Sequence, residues 1–398
     1  MDNPTLFSLN VATLTLIVFT AHLLFLRSFQ RQVYLPLALC LLSFGLVICQ
    51  PTLVNLSANI RANVLIFSLP ALLLIAPTFW FYVDGITAKS VWRMSSVTRR
   101  HFILFLLGLF IAILALLLPS ETKFALLIEG NDSILKELPV LERSIAVFCL
   151  VMTLLLVLAW IVQSGFYFIK VIKRLSGYRR YLKDVFASTE SKEAHWLSWL
   201  LLAIGVVWTA AAINIILDNL FFSTDINASI AHFVMLIMVW SIAVWGLRQK
   251  PGLEELYREL SDNPPALNET EATVTKYQRS ALDQAHSQRI AEKLSQAMEE
   301  DKLYLDASLS LPKLAKQIGS TPNYISQTLN GVLETTFFDY VNHHRVKAAK
   351  LMLRESNDTV LDIAMNVGFN AKSSFYNAFK KETQQTPTQY RKHERPQV

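Results

Sequence analysis

Cysteine is almost absent: three in 398 residues, Cys40, Cys49 and Cys149, all within or at the end of apolar runs and at no paired spacing. That excludes a disulfide framework and a zinc knuckle, and the three read as small packing residues. The twelve glycines form no phosphate-cradling loop, and there is no nucleophile elbow and no paired metal-ligand motif. An enzyme is therefore not expected, nor a metal or other cofactor.

Apolar residues, in contrast, are abundant. They make up 53% of the chain, and the mean hydropathy lies above zero, more than a water-solvated core ordinarily absorbs. The excess sits before residue 248, in seven runs of a length suited to a hydrocarbon core about 30 Å thick. They are Leu6–Leu26, Val33–Ile48, Val64–Val83, Phe102–Leu118, Ile145–Ile169, Trp196–Phe222 and Ile226–Leu247. No Lys or Arg precedes the first run and no small-residue cleavage site closes it, so it is expected to stay as a span rather than to be removed as a signal peptide.

Cations alternate along the connections between these runs. Arg27 and Arg31 follow the first; Lys89, Arg93, Arg99 and Arg100 follow the third; Lys170, Lys173, Arg174, Arg179, Arg180, Lys183 and Lys192 follow the fifth. The connection after the fourth is acidic, with Glu121, Glu129, Asp132, Glu137 and Glu142. Since positive connections stay on the cytoplasmic side, seven spans with an outer N-terminus would put everything after Arg248 in the cytoplasm. In a cell without a nucleus that compartment holds the genome. The stretch KVIKRLSGYRRYLK, after the fifth run, reads as a positive-inside anchor on anionic lipid.

Ionisable or strongly polar residues within spans are expensive and default to functional roles. His22, Asn214, Asp218 and His232 are the candidates, the last three in the outer half, where a signal from outside or from the lipid could reach a small pocket. Pro70 and Pro77 would bend the third span.

Residues 251–301 hold 5 basic and 11 acidic residues, with Pro251, Pro264 and Pro265 breaking the apolar pattern. They read as an acidic linker followed by a connecting helix whose Leu282, Ile290, Leu294 and Met298 share one face. That stripe either docks on the following domain or pairs with a second copy.

From residue 302 to 398 the balance reverses to 13 basic and 8 acidic residues. LSLPKLAKQIGSTPNYISQTLNG contains an amphipathic helix (Leu311, Leu314, Ala315, Ile318), a Gly319 stop, and a second helix opened by Thr321 and Pro322 with Ile325 and Leu329 inward. The plan recurs 49 residues on in TVLDIAMNVGFNAKSSFYNAFKK: Leu361, Ile363, Ala364 and Val367 buried, Gly368 at the turn, Phe375 and Phe379 anchoring the next helix. Between the copies, TTFFDYVNHHRVKAAKLMLRES is a long amphipathic helix whose Phe338, Val341, Val346, Ala349 and Leu353 can brace both. Helix, glycine turn, polar-faced helix is the helix-turn-helix plan. The adjacent His343 and His344 read as surface histidines rather than a metal pair.

Leu303 to Arg391, through LAKQIGSTPNYISQTLN, FFDYVNHHRVKAAKLML, DIAMNVGFNAKSSFYNAFKKET and TPTQYRK, resembles the AraC/XylS family of bacterial transcription regulators. Its DNA-binding domain is two helix-turn-helix units joined by one long helix. The apolar half looks like the membrane-bound variants of that family, by arrangement more than by residues. The resemblance implies an all-α chain: a seven-helix transmembrane bundle over 1–250, the linker over 251–301, and a cytoplasmic double helix-turn-helix DNA-binding domain over 302–398. It also implies base reading by Asn323, Tyr324, Gln327 and Asn330 in the first unit and by Lys372, Ser373, Tyr376, Asn377 and Lys380 in the second. Lys350, Lys381, Arg391 and Lys392 would hold the phosphate backbone. The first reading helix departs from the family in lacking basic residues near its end, so the second unit is expected to carry more of the affinity.

The expected function is a one-component sensor in the bacterial inner membrane that regulates transcription. Its expected partners are double-stranded promoter DNA, membrane lipids, a second copy in a homodimer, RNA polymerase, and an unknown small-molecule or membrane signal. A polytopic transporter or membrane receptor whose helical tail binds protein partners is the rival.

Overall fold

The computed structural model describes residues 4–54, 56–89, 92–94, 100–189, 196–203, 205–206, 228–249, 253 and 276–394, with the backbone alone at 228 and over 276–284. All the regular elements among them are helical, apart from one isolated antiparallel bridge between Phe186 and Ser310. The chain forms two compact units, Met1–Leu175 with Ala194–Pro251, and Ser176–Glu193 with Gly252–Val398.

The first unit contains α1 (Pro4–Ser28), α2 (Tyr34–Ile48), α3 (Ala58–Ile66), α4 (Ser68–Ile86), α5 (Ile103–Leu116), the short α6 (Ser120–Phe124), most of α7 (Val140–Val185), and α8 (Ala228–Arg248). Four segments are long and apolar enough to cross a membrane by length and composition: Pro4–Ser28, Ala58–Ile86, Val140–Val185 and Ser229–Arg248. Tyr34–Ile48 and Arg100–Leu116 are apolar but shorter. Six of the seven expected runs thus coincide with helices; of Trp196–Phe222, only its start, helical over 196–203, and residues 205–206 lie within the described residues.

The core of this unit is built from Ile17, Leu24, Leu37, Tyr82, Val83, Ile86, Leu197 and Val239. Large apolar side chains on the other faces, among them Phe19, Phe110, Leu154 and Val162, are exposed. Pro70 explains why α3 and α4 are separate helices. Its ring clashes with the carbonyl of the residue four before it, Ile66, and it cannot donate to that carbonyl; α3 ends at Ile66. Pro77 is tolerated within α4, where the Thr78 hydroxyl donates to the Leu74 carbonyl at 2.7 Å.

The second unit contains the last turns of α7, then α9 (Lys276–Glu299), α10 (Leu311–Ile318), α11 (Pro322–Gly331), α12 (Phe337–Glu355), α13 (Val360–Asn366), α14 (Lys372–Thr383) and α15 (Pro387–Glu394). Ile290, Leu294 and Met298 of α9 are buried against Leu311, Leu314, Ile325, Leu329 and Val341. The stripe read from sequence is therefore used inside the chain, docked on the helix-turn-helix domain; the Leu282 side chain lies outside the described residues. A second cluster joins Val346, Ala349 and Leu353 of α12 to Ile363, Ala364, Val367, Phe369, Phe375 and Phe379.

Three expectations are corrected. Phe337, not Phe338, takes the fully buried place at the start of α12, while Phe338 is half-buried. Leu361 is exposed, because it stands two residues before Ile363 and so about 200° around the helix from that buried position. His344 is buried beside Tyr304 and Tyr340, so only His343 of the histidine pair is on the surface.

Candidate nucleic-acid interface

Local chemistry sets each helix of the two helix-turn-helix units. Ser310, Thr321, Thr336 and Thr359 cap α10, α11, α12 and α13, each accepting from the backbone N–H three residues on, which satisfies a donor that the helix itself cannot. Gly319 closes α10 in the left-handed region at φ 63°. Gly368, at φ 95°, is required twice over. A β-carbon there would lie 2.5 Å from the Tyr304 carbonyl oxygen and 2.9 Å from that of Leu305, so the 303–305 turn could not approach any other residue.

The first reading helix, α11, buries Ile325, Thr328 and Leu329. This leaves Asn323, Tyr324, Gln327 and Asn330 exposed together, as expected. The Tyr324 ring meets His286 of α9 edge-on at 4.9 Å. The Asn330 amide lies 3.4 Å from the Ser326 hydroxyl. No cation stands among these outward side chains.

The second reading helix, α14, is anchored by Phe375 and Phe379, whose rings pack with Phe369 and Tyr390 at centroid distances of 5.3 to 5.5 Å. Lys372, Ser373, Asn377 and Lys380 are exposed, and Tyr376 is half-buried. The Lys372 ammonium stands over the Tyr376 ring at 5.3 Å. Alone among the reading-unit helices α10, α11, α13 and α14, α14 has no side-chain cap: Ala371 occupies the position. Its first amides, next to Lys372, therefore have no acceptor from a capping side chain, an arrangement that suits a phosphate.

The expected backbone-holding cations divide differently from the sequence reading. Lys350 pairs with Glu382 at 3.4 Å, and Lys381 with Asp339 at 2.7 Å. Arg391 is half-buried and donates to the Asp358 carbonyl at 2.7 Å. Lys350 and Lys381 thus tie α12 to α14, and Arg391 ties α15 to the connection between α12 and α13. Lys392 is exposed.

Of the expected signal-binding residues, Asn214 and Asp218 lie outside the described residues. His22 is on the exposed face of α1, about 200° from the buried Thr20 and Leu24, so it does not point into the helix cluster. His232 is half-buried in α8.

Sequence reasoning missed Arg345. It is fully buried and donates from Nε to the Tyr304 carbonyl at 2.8 Å, from Nη2 to the Asp306 carbonyl at 2.9 Å, and from Nη1 to the Ala187 carbonyl and Ser188 hydroxyl, both at 3.2 Å. Its guanidinium also stands 5.4 Å from the Phe369 ring centre. One signal was present: Arg345 falls four residues after Val341 and four before Ala349, on the buried stripe of its helix. A charge there must be hydrogen-bonded throughout.

A helix-turn-helix domain family matches residues 314–393. An uncharacterised HTH-type transcriptional regulator of Staphylococcus aureus (strain COL) is 34% identical over 100 residues, 25% of this chain and 13% of that protein. The melibiose operon regulatory protein of Escherichia coli (strain K12) is 30% identical over 87 residues, 22% of this chain and 29% of that one. A solved structure of a Listeria innocua protein of unknown function is 31% identical and covers 27% of this chain and 97% of its own, with a TM-score of 0.24. The chain thus spans less than a third of the two curated relatives, and the likeness is to a single domain. By fold and by matched residues the C-terminal region is a helix-turn-helix domain. It is of the AraC type.

Proposed function

We propose that this chain is a membrane-integrated transcription regulator, whose cytoplasmic AraC-type domain binds promoter DNA under the influence of a signal received by the apolar unit. The observation that carries the reading is the presence in one chain of two reading helices with outward polar faces and of four helices suited by length and composition to a bilayer. The first unit exposes many large apolar side chains that water would penalise at about 25 cal/mol per Å², and lipid would not. The alternation of cations along its connections supports an outer N-terminus and a cytoplasmic C-terminal domain.

On DNA, α11 and α14 would enter successive turns of the major groove. Gln327 and Asn377 are the side chains suited to bidentate contact with adenine. Lys372, Lys380 and the uncapped start of α14 would hold phosphates. Chromatin immunoprecipitation of the full chain, with and without Lys372→Ala, Asn377→Ala and Lys380→Ala together, tests the reading. Discrete peaks that vanish in the triple variant are expected; identical profiles for the two chains, or accessibility of the C-terminal domain to added protease on intact cells, would refute it.

A further inference from the structure

The chain following the fifth apolar run carries a feature that neither lipid anchoring nor DNA reading uses. α7 is one helix from Val140 to Val185, yet Ser176–Val185 and the residues after it belong to the second unit. Tyr178, Leu182, Val185 and Phe186 are buried in one cluster with Leu253, while Lys173, Arg180 and Lys183 stay exposed. The segment is thus amphipathic, and its apolar side is spent on protein. Beyond the helix the backbone pairs with the entrance to the first helix-turn-helix unit. Phe186 bridges Ser310, the cap of α10, and the Ala187 N–H donates to the Leu309 carbonyl at 3.2 Å. Ala187 joins the core that holds Leu314, Ile325 and Val341. The Lys183 ammonium lies 5.9 Å from the centre of the Phe338 ring.

Arg345 closes the arrangement. A buried guanidinium is tolerable only when its donors have acceptors. Here two acceptors of Nη1 come from Ala187 and Ser188, while Nε and Nη2 hold the Tyr304 and Asp306 carbonyls. One side chain on the helix between the two reading units therefore binds the end of α7 and the turn leading into α10 at once. Undocking Ala187 and Ser188 would strip hydrogen bonds from a charge that has no access to water.

We infer that Ser176–Thr189 is a docked strut of the DNA-binding domain, and that α7, through this strut and Arg345, is the element by which a change in the apolar unit reaches the reading helices. A helix responds to a shift or rotation as a rigid rod, and a packed two-state contact at its end converts small displacements into a change of state. The inference rests on the proposed function for its biological meaning, but the docking itself does not.

Two measurements on the full chain in lipid nanodiscs test the docking. In a chain with Cys40, Cys49 and Cys149 replaced by Ala, Phe186→Cys with Ser310→Cys is expected to form an intramolecular disulfide, and failure to form it overturns the inference. Hydrogen exchange of Phe186→Asp should quicken about tenfold across residues 303–310 and remain within about twofold across 372–383; unchanged rates at 303–310 overturn the inference. Should Phe186→Asp unfold the domain altogether, exchange rises in both segments and the disulfide arm decides. The transmission arm compares a Gly-Ser-Gly-Ser insertion after Leu175 with the same insertion after Ala266, by promoter occupancy in cells. The first is expected to change occupancy about fivefold or more and the second less than about twofold. Equal responses, or the reverse order, overturn the inference. Loss of selective occupancy in the unmodified chain as well would instead sink the proposed function, leaving the docking arms readable.

Discussion

The two reading helices have nearly the same length and the same relation to their glycine turns, but they are finished differently. α11 is capped by the Thr321 hydroxyl, carries no outward cation, and is flanked by α9, whose His286 meets Tyr324. α14 begins at an uncapped Ala371, carries Lys372 and Lys380 outward, and rests on an aromatic cluster. The first is neutral and has a hydroxyl cap on one of its first amides; the second is cationic and has no side-chain cap. Amide-rich side chains discriminate between bases, whereas lysines and free helix amides attract any phosphate. Under the proposed function, this difference would place holding power chiefly in α14, which would share base reading with α11 through Asn377.

The largest expected effect that would break this division is on the cationic side. Lys372→Ala with Lys380→Ala should lower affinity for all duplexes alike and reduce the slope of log affinity against log salt by about 2, as read by fluorescence anisotropy across a salt series. An unchanged slope would remove the holding role of α14. Next in size, Asn323→Ala with Gln327→Ala should narrow the preference for the specific site by about 1–3 kcal/mol for each bidentate bond to a base that the variant can no longer make, and leave the salt slope alone. A lowered slope with intact preference would invert the assignment.

A smaller effect concerns the helix that joins the two units. Burial holds the His344 imidazole below its ordinary pKa of 6.5, with repulsion from His343 and Lys347 acting in the same direction and Glu299 against it. The folded state therefore favours the neutral ring. Stability from this source is complete above the unfolded value and declines as pH falls below about 6.5 towards the folded value. Thermal unfolding between pH 7.5 and 5 should show both reading units losing stability together, and His344→Gln should flatten that part of the profile. The smallest effect is at Lys381. Its pairing with Asp339 is a surface ion pair worth about 0–1 kcal/mol, so Lys381→Ala should change stability by no more than that and leave DNA affinity unaltered. A clear loss of affinity would restore Lys381 to the phosphate contacts and weaken the special position of Lys372 and Lys380.

Much of the second unit was legible because periodic patterns report faces directly. Ile325 with Leu329, and Phe375 with Phe379, fall four apart, so the polar residues between them had to face out. What failed did so for lack of partners in the linear pattern. The sequence shows Lys350, Lys381 and Arg391 as cations, whereas Glu382, Asp339 and the Asp358 carbonyl beside them are visible only in the fold. Phe337 and Phe338 are indistinguishable by composition, and only the angle at which α12 meets its neighbours selects one. KVIKRLSGYRRYLK shows its cations to any reader, whereas its buried Tyr178 and Leu182 are intelligible only once Leu253 and the helix-turn-helix core are known.

The amino-acid order alone carried local signals for helix ends in hydroxyl caps and glycine turns, and it placed the apolar excess before residue 248. These are local or additive properties, fixed within a few residues or by simple summation. Folding in three dimensions decided which charges were left over for a ligand, and it drew Ala187 and Ser188 to Arg345 across more than 150 residues of chain. Ion pairs and buried hydrogen bonds depend on distances of about 3 Å, and no spacing along a chain specifies a distance between its remote parts.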